Sequence, residues 1–275
     1  MHVSGAKGNA VLKFLIVLSL LLCGSLSHAQ NSDFGRVAFI PGWSESDGSL
    51  MAAIQIELNP GWKTYWRVPG AAGIPPNFNW TGSQNFRGAE VMYPTPKVET
   101  VGGLQSIGYH DEVVFPIRIL PDLADTPVKV TLLFTFGACL EICVPVEQQF
   151  SLTLDPKSDN NRALIQSALD LRPTTATSAG VISAECSVRP DGKDFLLLAN
   201  IKMNRLPGGV LVAVFELQGT DYWVDVAKTK LVGNSIIAEA PLQFYGDGGF
   251  VLQRSQIRLT LLGTGTAVDI QGCPA

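Results

Sequence analysis

Histidine is scarce: the chain has three in 275 residues, and two of them, His2 and His28, fall in an amino-terminal stretch that reads as an export signal. Only His110 is left for the remainder, which excludes two-histidine metal motifs. A Gly-rich phosphate loop and a G-x-S-x-G nucleophile elbow are missing as well, so signatures of phosphate handling and of serine hydrolysis are absent. Apart from the first 30 residues, no run approaches the ~20 apolar residues of a membrane-crossing helix. Basic residues are also few. Without the first 30 residues, 18 Lys and Arg face 24 Asp and Glu, a formal charge of −6, and this argues against nucleic acid as a partner.

Lys7 and Lys13 precede an apolar run over residues 14–26, and Ser27-His28-Ala29 then offers small residues at the minus-three and minus-one positions. This is the pattern of a secretory signal, residues 1–29, cleaved before Gln30. Leu22 stands before Cys23, where a lipoprotein signal has a small residue. A soluble, exported product of about 245 residues is expected, enough for two β domains that each bury a core.

Cys23 leaves with the signal, and an even set remains: Cys139, Cys143, Cys186 and Cys273. An oxidising compartment allows all four to pair. Of the three possible connectivities, spacing favours Cys139 with Cys143 and Cys186 with Cys273, because each pair then lies within one candidate domain.

Strand patterns dominate. Residues 36–40, 51–58, 112–120, 128–136 and 147–154 are rich in β-branched and aromatic side chains, several with period-two alternation. Ala53, Gln55 and Glu57 would face one way, and Ile54, Ile56 and Leu58 the other. Turn residues such as Asn59-Pro60-Gly61 punctuate these runs, and the sum reads as an antiparallel sandwich. The composition changes after Asp155. Residues 160–171 look like a helix capped by Ser158 and stopped by Pro173. Residues 174–180, small and polar, suit a linker. A second strand-rich block follows over 181–188, 195–203, 209–217, 235–240 and 251–262. The domain lines expected are therefore 30–155, 156–180 for helix and linker, and 181–275.

Residues 136–145, Phe-Gly-Ala-Cys-Leu-Glu-Ile-Cys-Val-Pro, place two cysteines at a strand–turn–strand junction. A bridge closing so short a loop constrains the unfolded chain little, so a redox role is more plausible than stabilisation. A static hairpin staple and a Cu(I) site at the two thiolates both remain open on spacing alone. His110, Met51, Met92 and Met203 form no ligand cluster in sequence. The Cys186–Cys273 bridge would close a long loop, worth ~4 kcal/mol on the chain-entropy argument, and reads as structural. Neither Cys139 nor Cys143 has Lys, Arg or His beside it in sequence, and Glu141 would raise a thiol pKa. Activation would have to come from tertiary neighbours, with Arg67 and His110 as candidates.

Residues 61–76, Gly-Trp-Lys-Thr-Tyr-Trp-Arg-Val-Pro-Gly-Ala-Ala-Gly-Ile-Pro-Pro, followed by Tyr93-Pro94-Thr95-Pro96, Gly108-Tyr109 and the cysteine segment, resemble the N-terminal periplasmic domain of the disulfide reductase DsbD. The resemblance is closest to the ScsB (suppressor of copper sensitivity) branch, and it covers roughly residues 35–154. It implies immunoglobulin-like sandwiches, so that the fold expected is all-β, two such antiparallel domains joined by a short helix and linker. It also implies thiol–disulfide exchange in the periplasm with no cofactor. Electrons would come from a membrane-embedded thiol reductase and pass to thioredoxin-like periplasmic proteins. By carry-over, Cys143 attacks substrate disulfides and Cys139 resolves the mixed disulfide. Val101, Gly102, Gly103 and Leu104 occupy the place of the family's cap loop, without its aromatic lid. Resemblance to the ScsB branch weakens over 180–275. The rival readings are a Cu(I)-binding copper-tolerance module and a secreted interaction domain with structural disulfides only.

Overall fold

The computed structural model describes residues 33–71, 73–101, 103–203, 206, 208–217, 221–246 and 252–273. The segment read as an export signal lies outside them, as does Gly102 of the cap-loop stretch.

Ten strands build the first sandwich: β1 (Gly35–Ser44), β2 (Leu50–Leu58), β3 (Lys63–Gly70), β4 (Asn77–Asn79), β5 (Gly88–Val91), β6 (Lys97–Val101), β7 (Leu104–His110), β8 (Glu112–Leu120), β9 (Val128–Cys139) and β10 (Cys143–Leu154). One sheet has the order β1-β2-β8-β5. The other runs β10-β9-β3-β7-β6, with β4 also paired to β9. Alternation decides what lies between them. Ile54 and Ile56 of β2 and Phe115, Ile117 and Ile119 of β8 meet Val130, Leu132, Phe134 and Phe136 of β9, all without solvent exposure. Each such side chain contributes about 1.5–3 kcal/mol over its exposed state.

The opposite face of β2 and β8 is covered by α1 (Arg162–Asp170), whose Ile165 and Ala168 pack with Trp43, Met51, Ala53 and Val114. This helix is shorter than the 160–171 expected from sequence. Its N-cap is Asn161, in the left-handed region with no side-chain capping bond, while Ser158 Oγ donates instead to the Asp155 carbonyl at 2.7 Å. The helix is thus a lid on the first sandwich rather than a mere connector.

The second sandwich contains β11 (Thr174–Thr175), β12 (Val181–Asp191), β13 (Asp194–Met203), β14 (Val212–Glu216), β15 (Tyr222–Val224), β16 (Lys228–Val232), β17 (Ser235–Phe244), β18 (Arg258–Leu262) and β19 (Ala267–Gln271). Its sheets run β11-β19-β18-β14 and β12-β13-β17-β15, with β16 on β17. Thr174 and Thr175, read from composition as linker, pair in parallel with Val268 and Asp269 of β19. Among the described residues all other strand pairs are antiparallel, and the fold is all-β and immunoglobulin-like in both halves.

The two sandwiches also pack on each other. Val212, Val214, Leu262 and Ala267 of the second join the apolar cluster of the first. Beside them Arg67 of β3 makes a bidentate pair with Glu216 of β14, both bonds at 2.8 Å, and reaches Thr260 Oγ1 at 3.2 Å. Its guanidinium lies 4.0 Å from the Trp66 ring centroid.

Candidate functional site

Cys139 ends β9 and Cys143 begins β10, and the two are direct cross-strand partners. Their Cα atoms are 4.1 Å apart and their sulfurs are bonded. Ala138 points into the core, so Cys139, the next residue, points to the outer face of the sheet. Its partners across the strands, Cys143 on one side and Lys63 of β3 on the other, share that face. Tyr65, two residues along β3, does so too.

The two cysteines differ in exposure. Cys139 is 1% exposed, whereas Cys143 is an exposed residue at the rim. Tyr65 Oη lies 3.1 Å from Cys143 Sγ. A disulfide sulfur carries no proton, so the phenol donates. Burial, reinforced by the Glu99 carboxylate, raises the Tyr65 pKa above its ordinary value, and the hydroxyl therefore stays protonated through neutral pH. An O–H fixed at this distance would donate a charge-assisted bond to a Cys143 thiolate.

Local sequence explains how Tyr65 is held. After Lys63, β3 peels away from β9, and the returning chain takes its place, with the Gly137 N–H donating to the Ile74 carbonyl at 3.1 Å before β4 pairs with Thr135. Close approach is needed twice. A Cβ on Gly137 would come within 2.8 Å of Ile74 Cβ, and one on Gly73 within 2.5 Å of the Tyr65 ring. The motif of residues 61–76 is thus the strand carrying Lys63 and Tyr65 plus the return segment that presses on the tyrosine ring. Thr64, wholly buried between them, donates to the Gly137 carbonyl at 2.9 Å.

A polar row continues across the sheet. Lys63 Nζ is 3.2 Å from Ser106 Oγ and 3.9 Å from Glu99 Oε2, and His110 Nε2 is 2.8 Å from Glu99 Oε1. His110, one of the two activators expected from sequence, pairs with Glu99. Arg67, the other, is engaged by Glu216 across the contact between the sandwiches. The neighbours the structure supplies instead are Tyr65 and Lys63. Sequence reasoning missed both because each reaches the cysteines across strands far apart in the chain. The one available signal was the alternation in residues 62–67, which sets Lys63 and Tyr65 on one face and Trp66 on the other.

Of the cap-loop residues, Val101 closes β6, Gly103 lies in the turn and Leu104 opens β7. A Cβ on Gly103 would meet no atom within 4 Å, and Leu104 is 57% exposed, so the described part of this tip is not packed down. The hairpin tip beside the disulfide is equally open: Leu140, Ile142 and Val144 are all exposed, Ile142 at 79%. The cysteine pair of the second sandwich contrasts with this. Cys186 of β12 and Cys273, just beyond β19, are bonded, buried and on opposite sheets. Among the described residues no three His, Cys, Asp or Glu side chains gather as a metal site, and no helix is long and apolar enough to cross a membrane.

Comparison with known proteins places this geometry. No curated protein matches the chain. Among solved structures, the N-terminal periplasmic domain of ScsB from Proteus mirabilis is similar, with a TM-score of 0.64 and 21% identity over 89% of this chain and 95% of that one. At that identity the likeness is one of fold, and it extends over both sandwiches. Residues 36–155, which contain β1 to β10 almost entire and the Cys139–Cys143 hairpin, match the family described as thiol:disulfide interchange protein DsbD, N-terminal.

Proposed function

We propose that the protein relays electrons in the periplasm through Cys139 and Cys143, accepting them from a membrane-embedded thiol reductase and passing them to oxidised, thioredoxin-like proteins. The observation that carries this reading is the asymmetry of the pair: one cysteine is exposed with its sulfur facing a fixed phenol, and the other is buried. An exchange protein needs one thiol that partners can reach and one that only its neighbour can.

The steps balance as follows. A donor dithiol reduces the Cys139–Cys143 bond, leaving two thiols here and a disulfide on the donor. Cys143, as thiolate, then attacks a partner disulfide. The partner's S–S bond breaks, a mixed disulfide forms, and the leaving thiolate takes a proton. Cys139 next attacks Cys143 Sγ, re-forming the intramolecular bond and releasing the partner's second thiol. Two electrons and two protons have moved. Tyr65 stabilises the Cys143 thiolate both as attacking and as leaving group, and Cys139, bonded to it and buried, is positioned only for the internal step.

Trapping tests the assignment. Removing the resolving cysteine leaves the mixed disulfide with no internal thiol to release it. Cys139→Ala should accumulate covalent complexes on non-reducing gels that vanish with reductant, and Cys143→Ala should accumulate few or none. Equal trapping by both variants would overturn the polarity. No trapping by either, in folded protein, would return the pair to a structural or Cu(I)-binding role.

A further inference from the structure

β3 carries a wide bulge that begins directly after Tyr65. Tyr65 pairs with Gly108 of β7 and Gly70 with Ser106, so Trp66, Arg67, Val68 and Pro69 together face Ile107 alone, and none of them pairs with β9. A bulge leaves its residues outside the ladder and re-aims their side chains. Side-chain contacts must therefore fix these four. Trp66 is buried in the core of the first sandwich, and Arg67 reaches out of that sandwich to the second. At its far end the bulge backs the tyrosine ring. A Cβ placed on Gly73 would lie 2.5 Å from the Tyr65 ring and 2.8 Å from Pro69 Cβ, so the ring, the last residue of the bulge and the return segment meet at one point. The bulge thus forms part of the wall against which the phenol rests, with Oη 3.1 Å from Cys143 Sγ.

The second sandwich holds the bulge. Arg67 donates to both Glu216 oxygens at 2.8 Å and to Thr260 Oγ1 at 3.2 Å. The receiving side is itself fixed. Glu216 is the cross-strand partner of Arg258, whose guanidinium is bidentate on Asp269 at 2.9 and 2.8 Å, and Thr260 is wholly buried. A planar guanidinium fork on a carboxylate sets direction as well as distance. With side-chain exposures of 11% for Arg67 and 22% for Glu216, the pair is little screened by salt.

Resting on the exchange reading above, we propose that Arg67 and Glu216 are positioning residues for the chemistry of Cys143, and that the second sandwich is the support through which they act. The clamp holds the β3 bulge. The bulge, through Pro69 and the Gly73 segment, holds the Tyr65 ring, and the ring keeps its hydroxyl on the Cys143 sulfur. The second sandwich, whose own disulfide is buried, thereby contributes to exchange without a redox step of its own. A clamp that did no more than join the two sandwiches would change stability and leave the thiol as it was.

The test is a double-mutant cycle with Tyr65→Phe, read as the Cys143 thiol pKa of the reduced protein from its alkylation rate against pH. Arg67→Ala together with Glu216→Ala removes the clamp and both charges at once, so no unpaired buried charge is left to move the thiol by itself. The thiol pKa should rise by about 0.7 unit, a roughly fivefold loss of thiolate at neutral pH. Arg67→Lys, which keeps the charge but not the fork, should give a smaller rise. With Tyr65→Phe already in place, the same clamp variants should add less than about 0.3 unit. An unshifted thiol in the folded clamp variant, or a rise of equal size with and without the Tyr65 hydroxyl, would overturn the positioning role. Should the double variant not fold, Arg67→Lys carries the same comparison, and no rise there would overturn it. The exchange reading fails separately, if the unmutated reduced protein is not oxidised by a protein disulfide whatever the clamp does to the thiol.

Discussion

Cys139–Cys143 joins neighbours four positions apart across one hairpin, whereas Cys186–Cys273 spans a separation of 87 and ties one sheet of the second sandwich to the other. Loop closure alone assigns ~2 kcal/mol to the first and ~4 kcal/mol to the second. Access runs the opposite way. Both cysteines of the long bridge are buried, and one cysteine of the short bridge is exposed, with a phenolic O–H aimed at its sulfur. The bridge that closes the long loop is thus the buried one, and the bridge that closes the short loop has an exposed cysteine. Compartment and cysteine count permit both bridges equally. Register and burial tell them apart.

Loss of the exposed sulfur should have the largest effect on that contrast. Cys143→Ala is expected to abolish exchange with a protein disulfide, while the double variant Cys186→Ala, Cys273→Ala retains it. Stopped-flow oxidation of the reduced proteins checks both. Loss of exchange in the folded double variant would merge the two roles.

Next in size is stability. Removing the long bridge should lower unfolding free energy by about 2–4 kcal/mol in denaturant titration. Removing the short one with Cys139→Ala and Cys143→Ala together should cost clearly less. The reverse order would break the comparison.

Tyr65→Phe should act on reactivity with the fold intact. A hydrogen bond to a charged group is worth about 1.5–3 kcal/mol, so the Cys143 thiol pKa in the reduced protein should rise by roughly one to two units. Because burial raises the tyrosine pKa above its ordinary value, its hydroxyl is neutral at both ends of an interval from about pH 6 to about pH 9. The difference in thiol pKa should therefore owe nothing to tyrosine ionisation over that interval. Alkylation rate against pH measures it, and an unshifted thiol would remove Tyr65 from the mechanism.

Lys63→Met should give the smallest shift, below about half a unit. Lys63 is the cross-strand partner of Cys139, but its ammonium is held by Ser106 and lies near Glu99. A larger effect than that of Tyr65→Phe would reverse the ranking of the two neighbours.

What could be read in advance divides along the same line. Strands with clean alternation, such as residues 51–58 and 112–120, were legible to within a residue, and so were both cysteine pairs. β3 was not read as a strand, although it carries Tyr65, Lys63 and Arg67. Its register against β7 shifts between Tyr65 and Gly70, and Pro69-Gly70 reads as a turn. Residues 251–262 promised one strand, but a 3₁₀ turn at Arg254–Gln256 precedes a shorter β18. Ser158 looked like a helix cap because a local motif cannot show that its hydroxyl is already committed to the Asp155 carbonyl. Arg67 looked like a thiol activator because its partner, Glu216, lies in the other sandwich. The Arg67 miss concerns a contact between segments distant in sequence, where neither period nor composition carries the pairing, whereas the Ser158 miss lies within three residues.

Graded reduction followed by alkylation and mass mapping tests the central claim, that access rather than cysteine count divides the two bridges. With increasing dithiol reductant under native conditions, Cys139 and Cys143 should be labelled first, with Cys186 and Cys273 labelled only as the fold opens. Labelling of all four together, or of Cys186 and Cys273 ahead of the hairpin pair, would contradict it.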